Sequence, residues 1–281
     1  MNDGKCLCGS VTWEISGKPE STYHCHCTMC RKAHGAAFGT YYLLASKDFR
    51  WTSSRDTVVE YASSPELTRA FCRNCGSVVP NGDNEDKYVY VPAGCHNEGA
   101  NADAHIFVGS KAPWYDITDD LPRHEAYPPG EDLPAYEDKS LPDAPEGALR
   151  GSCLCGAVVF HLLEPFKVVH NCHCSRCRHA RAAAHATNGF TSMEGVRFIK
   201  GEEHVSSYKL PTARFFTHVF CDTCGSGLPR IDSERKIAVT PLGALDDDPG
   251  AKAVDNIFVA YKARWYDITD DLPAYDELPP G

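Results

Sequence analysis

The most constraining feature of this sequence is a Cys-x-Cys-x-x-Cys run that occurs twice. Its six cysteines are Cys25, Cys27, Cys30, Cys172, Cys174 and Cys177. Three thiolates this close together are typical of a zinc site, and three protein ligands leave a tetrahedral zinc one position for water, a substrate or another sulfur. Each run therefore predicts an open zinc site, or one lobe of a closed structural site whose fourth ligand lies elsewhere.

The other cysteines form a second repeated pattern, a Cys-x-Cys pair followed much later by a Cys-x-x-Cys pair. Four cysteines in two short pairs complete a structural tetrahedral zinc site. Of the 15 cysteines only Cys95 is left over, and because Ala244 stands at its counterpart we interpret it as a buried or incidental thiol. The ligand arithmetic predicts about four zinc ions per chain, two structural and two in three-cysteine sites. The four-cysteine sets are Cys6, Cys8, Cys72 and Cys75, then Cys153, Cys155, Cys221 and Cys224.

The repeat divides the 281 residues into two domains of ordinary size. We predict a first zinc domain over 1–122 and a second over 149–281. Residues 123–148, rich in Pro, Glu and Asp, are expected to form a linker or an extended strap. The sequence also allows the two domains to pack on each other.

Composition excludes several classes of protein. No apolar run approaches the roughly 18 residues of a membrane span, and the first residues lack the features of a secretory signal. Seven cysteines per unit cannot all pair as disulfides, which favours the reducing cytoplasm. The net charge of -10 argues against nucleic acid as the main partner, since such a partner needs a basic surface.

Cations nevertheless flank both three-cysteine runs. Arg31 and Lys32 follow the first, and Arg176, Arg178 and Arg181 surround the second. These side chains would suit the carboxylates of a small anionic thiol, so Arg31, Lys32, Arg176 and Arg178 are candidate substrate-binding residues. The alternative is that they are solvated charges that partly offset an anionic zinc-thiolate cluster.

Alternating apolar residues predict a mainly β protein with few, short helices. Val11, Trp13 and Ile15 alternate with polar residues over 9–16, and 156–163 is the matching segment. A run after each three-cysteine motif could form one helical turn. Further strands are predicted near 38–44, 57–61, 67–71, 88–91, 205–210, 214–220 and 237–241, separated by turn residues.

Both units end with nearly the same sequence. Ile106-Phe107-Val108 and Trp114-Tyr115-Asp116-Ile117-Thr118-Asp119-Asp120-Leu121-Pro122 return as 257–259 and 265–273. With these endings and the ordered cysteines, including Cys-x-x-Cys-Gly, the chain resembles two tandem copies of the glutathione-dependent formaldehyde-activating enzyme family, which includes the centromere-protein-V-like domains. The resemblance covers 3–122 and 149–273.

The resemblance implies two zinc-stabilised β-tent domains, each with a four-cysteine structural zinc and a three-cysteine zinc. At the three-cysteine zinc, glutathione and formaldehyde would combine to S-hydroxymethylglutathione, a carbon-sulfur lyase activity. Both copies depart from the family pattern: 94–98 reads Gly-Cys-His-Asn-Glu instead of Gly-Ser-Leu-Asp-Asp, and Ala182 and His185 stand where the first copy has Gly35 and Phe38. One unit could be the catalyst and the other a scaffold.

A thiol that enters the fourth metal position would be bound as thiolate, because a coordinating thiol loses its proton. A zinc that carries three thiolates is a poor Lewis acid, so we expect it to hold and orient sulfur. His26, His173, His34 and His185 are weak candidates for the proton donor, since packed histidines are commoner. The alternatives are a non-catalytic glutathione-binding or protein-interaction module, or an enzyme that acts on another thiol adduct.

Overall fold

A computed structural model describes residues 2–65, 67–82, 86–128 and 141–280. In these residues the chain is mainly β, with two short α-helices and two domain-like halves, which confirms the predicted class. The elements of the first unit are β1 (Asn2–Lys5), β2 (Thr12–Ile15), β3 (Ser21–Cys25), α1 (Thr28–His34), β4 (Gly39–Ala45), β5 (Phe49–Trp51), β6 (Val58–Ser64), β7 (Leu67–Cys72), β8 (Val78–Val79), β9 (Tyr88–Pro92) and β10 (Ala104–Ile106).

The second unit repeats this order. Its elements are β11 (Leu149–Ser152), β12 (Val159–Leu162), β13 (Val168–Cys172), α2 (Ser175–Arg181), β14 (Ala186–Ser192), β15 (Val196–Lys200), β16 (Val205–Lys209), β17 (Thr217–Cys221), β18 (Arg230–Asp232), β19 (Ile237–Pro241), β20 (Asp255–Ile257) and β21 (Ala274–Tyr275).

Each unit is assembled from three small sheets. In the first unit their strand orders are β1-β2-β5, β10-β3-β4-β9 and β6-β7-β8. In the second they are β11-β12-β15, β18-β19-β14-β13-β20-β21 and β16-β17. In both central sheets the strand that leads into the three-cysteine run pairs antiparallel with the next strand and parallel with the short strand near the end of the unit.

The predicted strands are present, but the pattern missed several others, among them β3 and β10 in the first unit and β13, β14, β15 and β20 in the second. β3 carries polar residues on both faces, and β10 is only three residues long, so neither shows a clear apolar alternation. A single helical turn is expected after each run, but the structure has a seven-residue helix that begins inside the run, at Thr28 and at Ser175. Both helices end in left-handed backbone, at Gly35 (φ 57°) and at Ala182 (φ 50°), so the turn is kept even where an alanine must adopt it.

The segments after both units pack on their own sheets. His124 N donates to the His105 carbonyl at 2.9 Å and Phe107 N to the Ala126 carbonyl at 3.1 Å, so the start of the predicted linker runs beside β10. β21 does the same beside β20, in parallel register. The rest of the predicted linker includes 129–140, which lie outside the described residues.

The two units pack directly on each other, as the sequence allowed. Thr118 Oγ1 and Thr269 Oγ1 are 2.5 Å apart, and Tyr115 and Tyr266 share a side-chain hydrogen bond. Trp114 and Trp265 are buried. One continuous set of buried apolar residues includes members of both units, so the units share a core.

In the described residues, no helix is both long enough and apolar enough to cross a membrane.

Candidate metal centres

Four clusters of cysteines form in the structure, and they are the four sets that the spacing predicted. Within each cluster the sulfur atoms lie within 4.8 Å of one another. No described cysteine takes part in a disulfide. Four separate clusters of free thiols are therefore brought together by the fold, two in each unit.

The four-cysteine clusters join the start of each unit to a later hairpin. Cys8 Sγ lies 3.5 Å from Cys6 Sγ and 3.7 Å from Cys72 Sγ. Two zinc-sulfur bonds of about 2.3 Å in a tetrahedron place their sulfurs about 3.8 Å apart, so this spacing fits zinc. The second unit gives 3.7 Å between Cys155 Sγ and Cys221 Sγ. A donor set made only of sulfur selects a soft metal, and a closed tetrahedron of this kind suits zinc or iron.

Serine side chains brace these clusters in the same way in both units. Ser77 Oγ accepts from Leu7 N at 3.0 Å and lies 3.3 Å from Cys75 Sγ. Ser226 Oγ accepts from Leu154 N at 3.0 Å and lies 3.3 Å from Cys224 Sγ. The serine follows the Cys-x-x-Cys-Gly turn and ties it to the Cys-x-Cys loop.

The three-cysteine clusters are formed where β3 meets α1 and where β13 meets α2. The sulfur of Cys27 caps α1 by accepting from Cys30 N at 3.4 Å, and Cys174 caps α2 through Cys177 N at the same distance. The helix start thereby turns the three thiols toward one point. Cys95 lies elsewhere: its thiol contacts the Val78 carbonyl at 3.7 Å, and burial raises its pKa to about 12, as expected of an inert packed cysteine.

The first three-cysteine cluster lies against a buried arginine. Arg69 donates from Nη2 to Cys30 Sγ at 3.5 Å and from Nη1 to the Tyr41 hydroxyl at 3.3 Å. Tyr41 also contacts His34 Nε2 at 2.7 Å. Burial lowers the pKa of His34 to about 4 and raises the pKa of Tyr41, so both are neutral near pH 7.

The second three-cysteine cluster has different neighbours. Asn188 occupies the register position of Tyr41, since Asn188 pairs with Pro241 as Tyr41 pairs with Pro92. His218 precedes Cys221 by three residues, as Arg69 precedes Cys72. The side chains that flank the two clusters have therefore diverged, although the cysteines have not.

The histidines between the metal ligands turn away from the sulfurs into the interior. His26 Nε2 lies 2.8 Å from His105 Nδ1, and His105 Nε2 lies 3.0 Å from each oxygen of Asp119. In the second unit His173 Nε2 contacts Asn256 Oδ1 at 2.9 Å instead. Burial lowers the pKa of His26 to about 3 and of His173 to about 4. Both histidines are packed, neutral residues that orient the ligand-bearing strand.

His34 and His185, the other candidate proton donors, are also buried. His34 contacts Tyr41 beside the first cluster, whereas His185 packs on Phe38 with ring centroids 5.7 Å apart. Burial lowers the pKa of His185 well below its ordinary value. Of these two histidines, therefore, only His34 contacts Tyr41, the tyrosine beside the first three-cysteine cluster.

Two of the four candidate substrate-binding cations hold the units together. Lys32 is buried and its Nζ lies 2.7 Å from Asp246 Oδ1 and 2.9 Å from Ser152 Oγ, both in the second unit. Arg178 is 1% exposed and donates to the His96 carbonyl at 3.1 Å and to Asn97 Oδ1 at 2.7 Å, both in the first unit. Their charged groups are thus occupied by contacts between the units.

The other two candidate cations stay near the helix starts. Arg31 Nη2 donates to Thr28 Oγ1 at 3.3 Å. Arg176 is partly buried in the first turn of α2, two residues from Cys174. These two remain candidate substrate contacts.

Comparison with known proteins now assigns the class. A family model described as glutathione-dependent formaldehyde-activating enzyme matches residues 1–110 and 148–261. The chain belongs to this family and carries its domain twice.

Individual similar proteins each match less than half of this chain. A protein of Halomonas elongata named for glutathione-dependent formaldehyde activation is 30% identical over 127 residues, which is 43% of this chain and 80% of that protein. An uncharacterized lyase of Schizosaccharomyces pombe is 26% identical over 121 residues, 41% of this chain and 84% of its own length. A crystal structure of a Rhodobacter sphaeroides protein is 28% identical and covers 35% of this chain and 88% of that chain, with a TM-score of 0.30. Relatives named as a formaldehyde-activating enzyme and as a lyase support an enzyme of lyase type.

Sequence reasoning did not find Arg69, Tyr41 or the buried histidine network. The position of Arg69, three residues before a ligand-bearing Cys-x-x-Cys pair, could have suggested a role near the metal sites. A cation at that position is equally typical of an ordinary surface charge. Tyr41 and His105 lie on strands whose pairing is needed to place them.

Proposed function

We propose that the protein is a zinc-dependent carbon-sulfur lyase-type enzyme that adds a thiol, glutathione in the first instance, to formaldehyde or a related carbonyl at a three-cysteine zinc. The observation that carries the proposal is the contrast between the two kinds of cluster. Four sulfurs close the structural site, whereas three sulfurs converge at each of the others and the only remaining thiol, Cys95, lies elsewhere. A metal held by three sulfurs keeps a position for a substrate thiol.

Zinc would supply one thing when bound: it stabilises the incoming thiol as thiolate at neutral pH. The chain would hold this metal through Cys25, Cys27 and Cys30, or through Cys172, Cys174 and Cys177, and two further zinc ions through the four-cysteine sets. The total is about four zinc ions per chain on this arithmetic.

In the reaction the thiolate sulfur forms a bond to the carbonyl carbon. The electron pair of the carbonyl π bond moves to oxygen, and that oxygen takes up a proton equal to the one the thiol lost. No oxidant or reductant is needed. What the chain contributes is position, because a rigid sulfur next to a bound carbonyl avoids much of the entropy cost of bringing two molecules together.

The wider setting follows from the same chemistry. Fourteen grouped thiols must stay reduced to bind metal, so we place the protein in the cytoplasm. Its partners are a small thiol and an aldehyde, with nucleic acid disfavoured by the net charge of -10.

Exchange NMR tests the proposal. Glutathione and labelled formaldehyde form their adduct spontaneously, so the interconversion rate at equilibrium is measured with and without protein. We expect faster exchange with the zinc-loaded protein and the spontaneous rate with the Cys27→Ser/Cys174→Ser double variant. Unchanged exchange with measurable glutathione binding would instead support the carrier, and no binding of any kind would point to another substrate or to an interaction module.

A further inference from the structure

Resting on this proposed function, we propose that the first three-cysteine site is the reaction centre, that Arg69 makes it so by binding the negative charge of the incoming thiolate, and that the second unit completes the site through the Arg181 backbone carbonyl. The sequence leaves open which unit acts, and the surroundings of the two clusters decide between them.

The Arg69 guanidinium is a buried cation that faces sulfur. The residue is 7% exposed, and Nη2 lies 3.5 Å from Cys30 Sγ. Its Nε is buried and has no hydrogen-bond partner among the described residues. A guanidinium buried in this way needs negative charge nearby to offset the cost of desolvation. A zinc with three thiolates would carry one net negative charge and a fourth thiolate would add another, so thiol binding would increase the negative charge of the cluster that Arg69 contacts.

A chain of hydrogen bonds fixes the direction of this guanidinium. His34 Nδ1 lies 2.7 Å from the Arg181 carbonyl, which can only accept, so Nδ1 carries the proton of the neutral ring and Nε2 is an acceptor. The Tyr41 hydroxyl, 2.7 Å from His34 Nε2, therefore donates to it. The lone pairs of Tyr41 are then directed to Arg69 Nη1, 3.3 Å away. The carbonyl at the start of this chain belongs to the second unit.

The second cluster lacks this arrangement because His218 and Arg181, the residues equivalent to Arg69 and His34, contact each other. His218 Nδ1 donates to the Cys75 carbonyl at 2.8 Å, which leaves His218 Nε2 to accept from Arg181 Nη1 at 3.1 Å. Arg181 thus stands where the first unit has His34, yet its guanidinium is held by a neutral histidine. With Asn188 in place of Tyr41, the second cluster has no equivalent of the Arg69 and Tyr41 pair among the described residues.

The inference predicts a difference in thiol affinity that does not depend on turnover. A charge-assisted hydrogen bond to a buried thiolate changes affinity by about 10-fold or more. The first cluster should therefore bind a thiol at least about 10-fold more tightly than the second. The second cluster should hold metal while contributing little to catalysis.

Cobalt(II) in place of zinc makes the binding visible, because a fourth thiolate changes the visible absorption of a three-thiolate cobalt site. Cys174→Ser leaves only the first open cluster and Cys27→Ser only the second. Each variant, loaded with cobalt, is titrated with glutathione and with 2-mercaptoethanol, which has no carboxylate. We expect the tighter binding of both thiols in Cys174→Ser.

Arg69 is then changed in the Cys174→Ser background. Arg69→Met should weaken both thiols about 10-fold, and Arg69→Lys should recover part of the loss. The absorption of the four-cysteine sites and the melting temperature show whether each variant remains folded. If Arg69→Met does not fold, the Arg69→Lys and Tyr41→Phe variants decide, since both should weaken thiol binding.

Equal affinity of the two clusters, or full affinity in Arg69→Lys and Tyr41→Phe, would overturn the inference. An effect seen with glutathione alone would also overturn it, because Arg69 would then bind a carboxylate. If Arg69 controls thiol affinity but exchange NMR shows no rate increase, the proposed reaction fails while the assignment of the thiol site stands.

Discussion

The four-cysteine and three-cysteine clusters have been conserved differently between the two halves of this chain. The four-cysteine clusters match in detail: the same serine hydroxyl accepts from the same backbone N–H at 3.0 Å in both units. The three-cysteine clusters match only in their ligands and helix caps. The side chains around them differ at equivalent positions: where the first unit has Arg69, Tyr41 and His105, the second has His218, Asn188 and Asn256.

The difference separates residues that the fold of each unit requires from residues that a single three-cysteine site requires. A four-cysteine cluster ties an early loop to a distant hairpin, so we expect each unit to need its own copy to fold. On the proposed function, the surroundings of a three-cysteine cluster are needed only where a substrate thiol binds. The contacts between the units fit this view, because the second unit supplies the backbone carbonyl that orients His34 beside the first cluster.

Cysteine substitutions should have the largest effect on this comparison. Cys75→Ser and Cys224→Ser break a closed structural site, and we expect each to unfold its unit, since structural zinc contributes on the order of 10 kcal/mol to folding in small zinc peptides. Cys27→Ser and Cys174→Ser should keep the fold, at a cost of about 1–2 kcal/mol, while losing the metal of that cluster. Thermal melting and elemental analysis against the roughly four zinc ions expected of the parent chain measure this. Equal destabilisation by all four would show that the three-cysteine sites are structural too.

Substitutions that break contacts between the units should have the second largest effect. Lys32→Met leaves Asp246 and Ser152 without their cation and should lower the free energy of unfolding by about 3 kcal/mol. Arg178→Met leaves only neutral acceptors unpaired and should cost less, about 1–3 kcal/mol. Denaturant unfolding followed by tryptophan fluorescence measures both.

The matched control for the lysine is the double variant Lys32→Met/Asp246→Leu. It removes both charges, so it should recover part of the loss. If neither single variant changes the unfolding transition, the two units do not depend on each other for stability.

The smallest effect is a difference in acid sensitivity between the halves. His96 accepts from Trp13 Nε1 at 2.9 Å, and burial lowers its pKa to about 3, whereas the second unit has Leu245 at this position. Below the unfolded pKa of about 6.5, the unfolded chain binds a proton that folded His96 does not. Its contribution to stability is therefore complete above pH 6.5 and falls by about 1.4 kcal/mol per pH unit as the pH drops toward 3.

His96→Gln keeps an acceptor for the tryptophan and removes this titration. We expect a shallower loss of stability between pH 6.5 and 4.5, by about one proton, in denaturant titrations of the zinc-loaded protein. Zinc release is followed in the same samples with a metal indicator. An unchanged pH slope while zinc stays bound would mean that His96 is protonated in the folded protein.

Much of the site could be read from the sequence because its ligands are local. Cys25, Cys27 and Cys30 lie within six residues, and the only long-range step, joining Cys6 to Cys75, follows from counting ligands. The β class was equally accessible, since alternation along β2 or β4 is a property of a few neighbouring residues. The two helices were predicted too short because the sulfur cap that starts them is not a usual helix signal.

By itself, the sequence determined the cysteine clusters, the tandem organisation and the mainly β class. Only the tertiary structure decided that Lys32 reaches Ser152, 120 residues away, and that Arg69 lies on Cys30, 39 residues away. The physical reason is that such contacts depend on strand pairing and on the packing of two units, which no local pattern specifies. Lys32, which is close to Cys30 in sequence, therefore binds the other unit, whereas Arg69, which is far from Cys30 in sequence, contacts its sulfur.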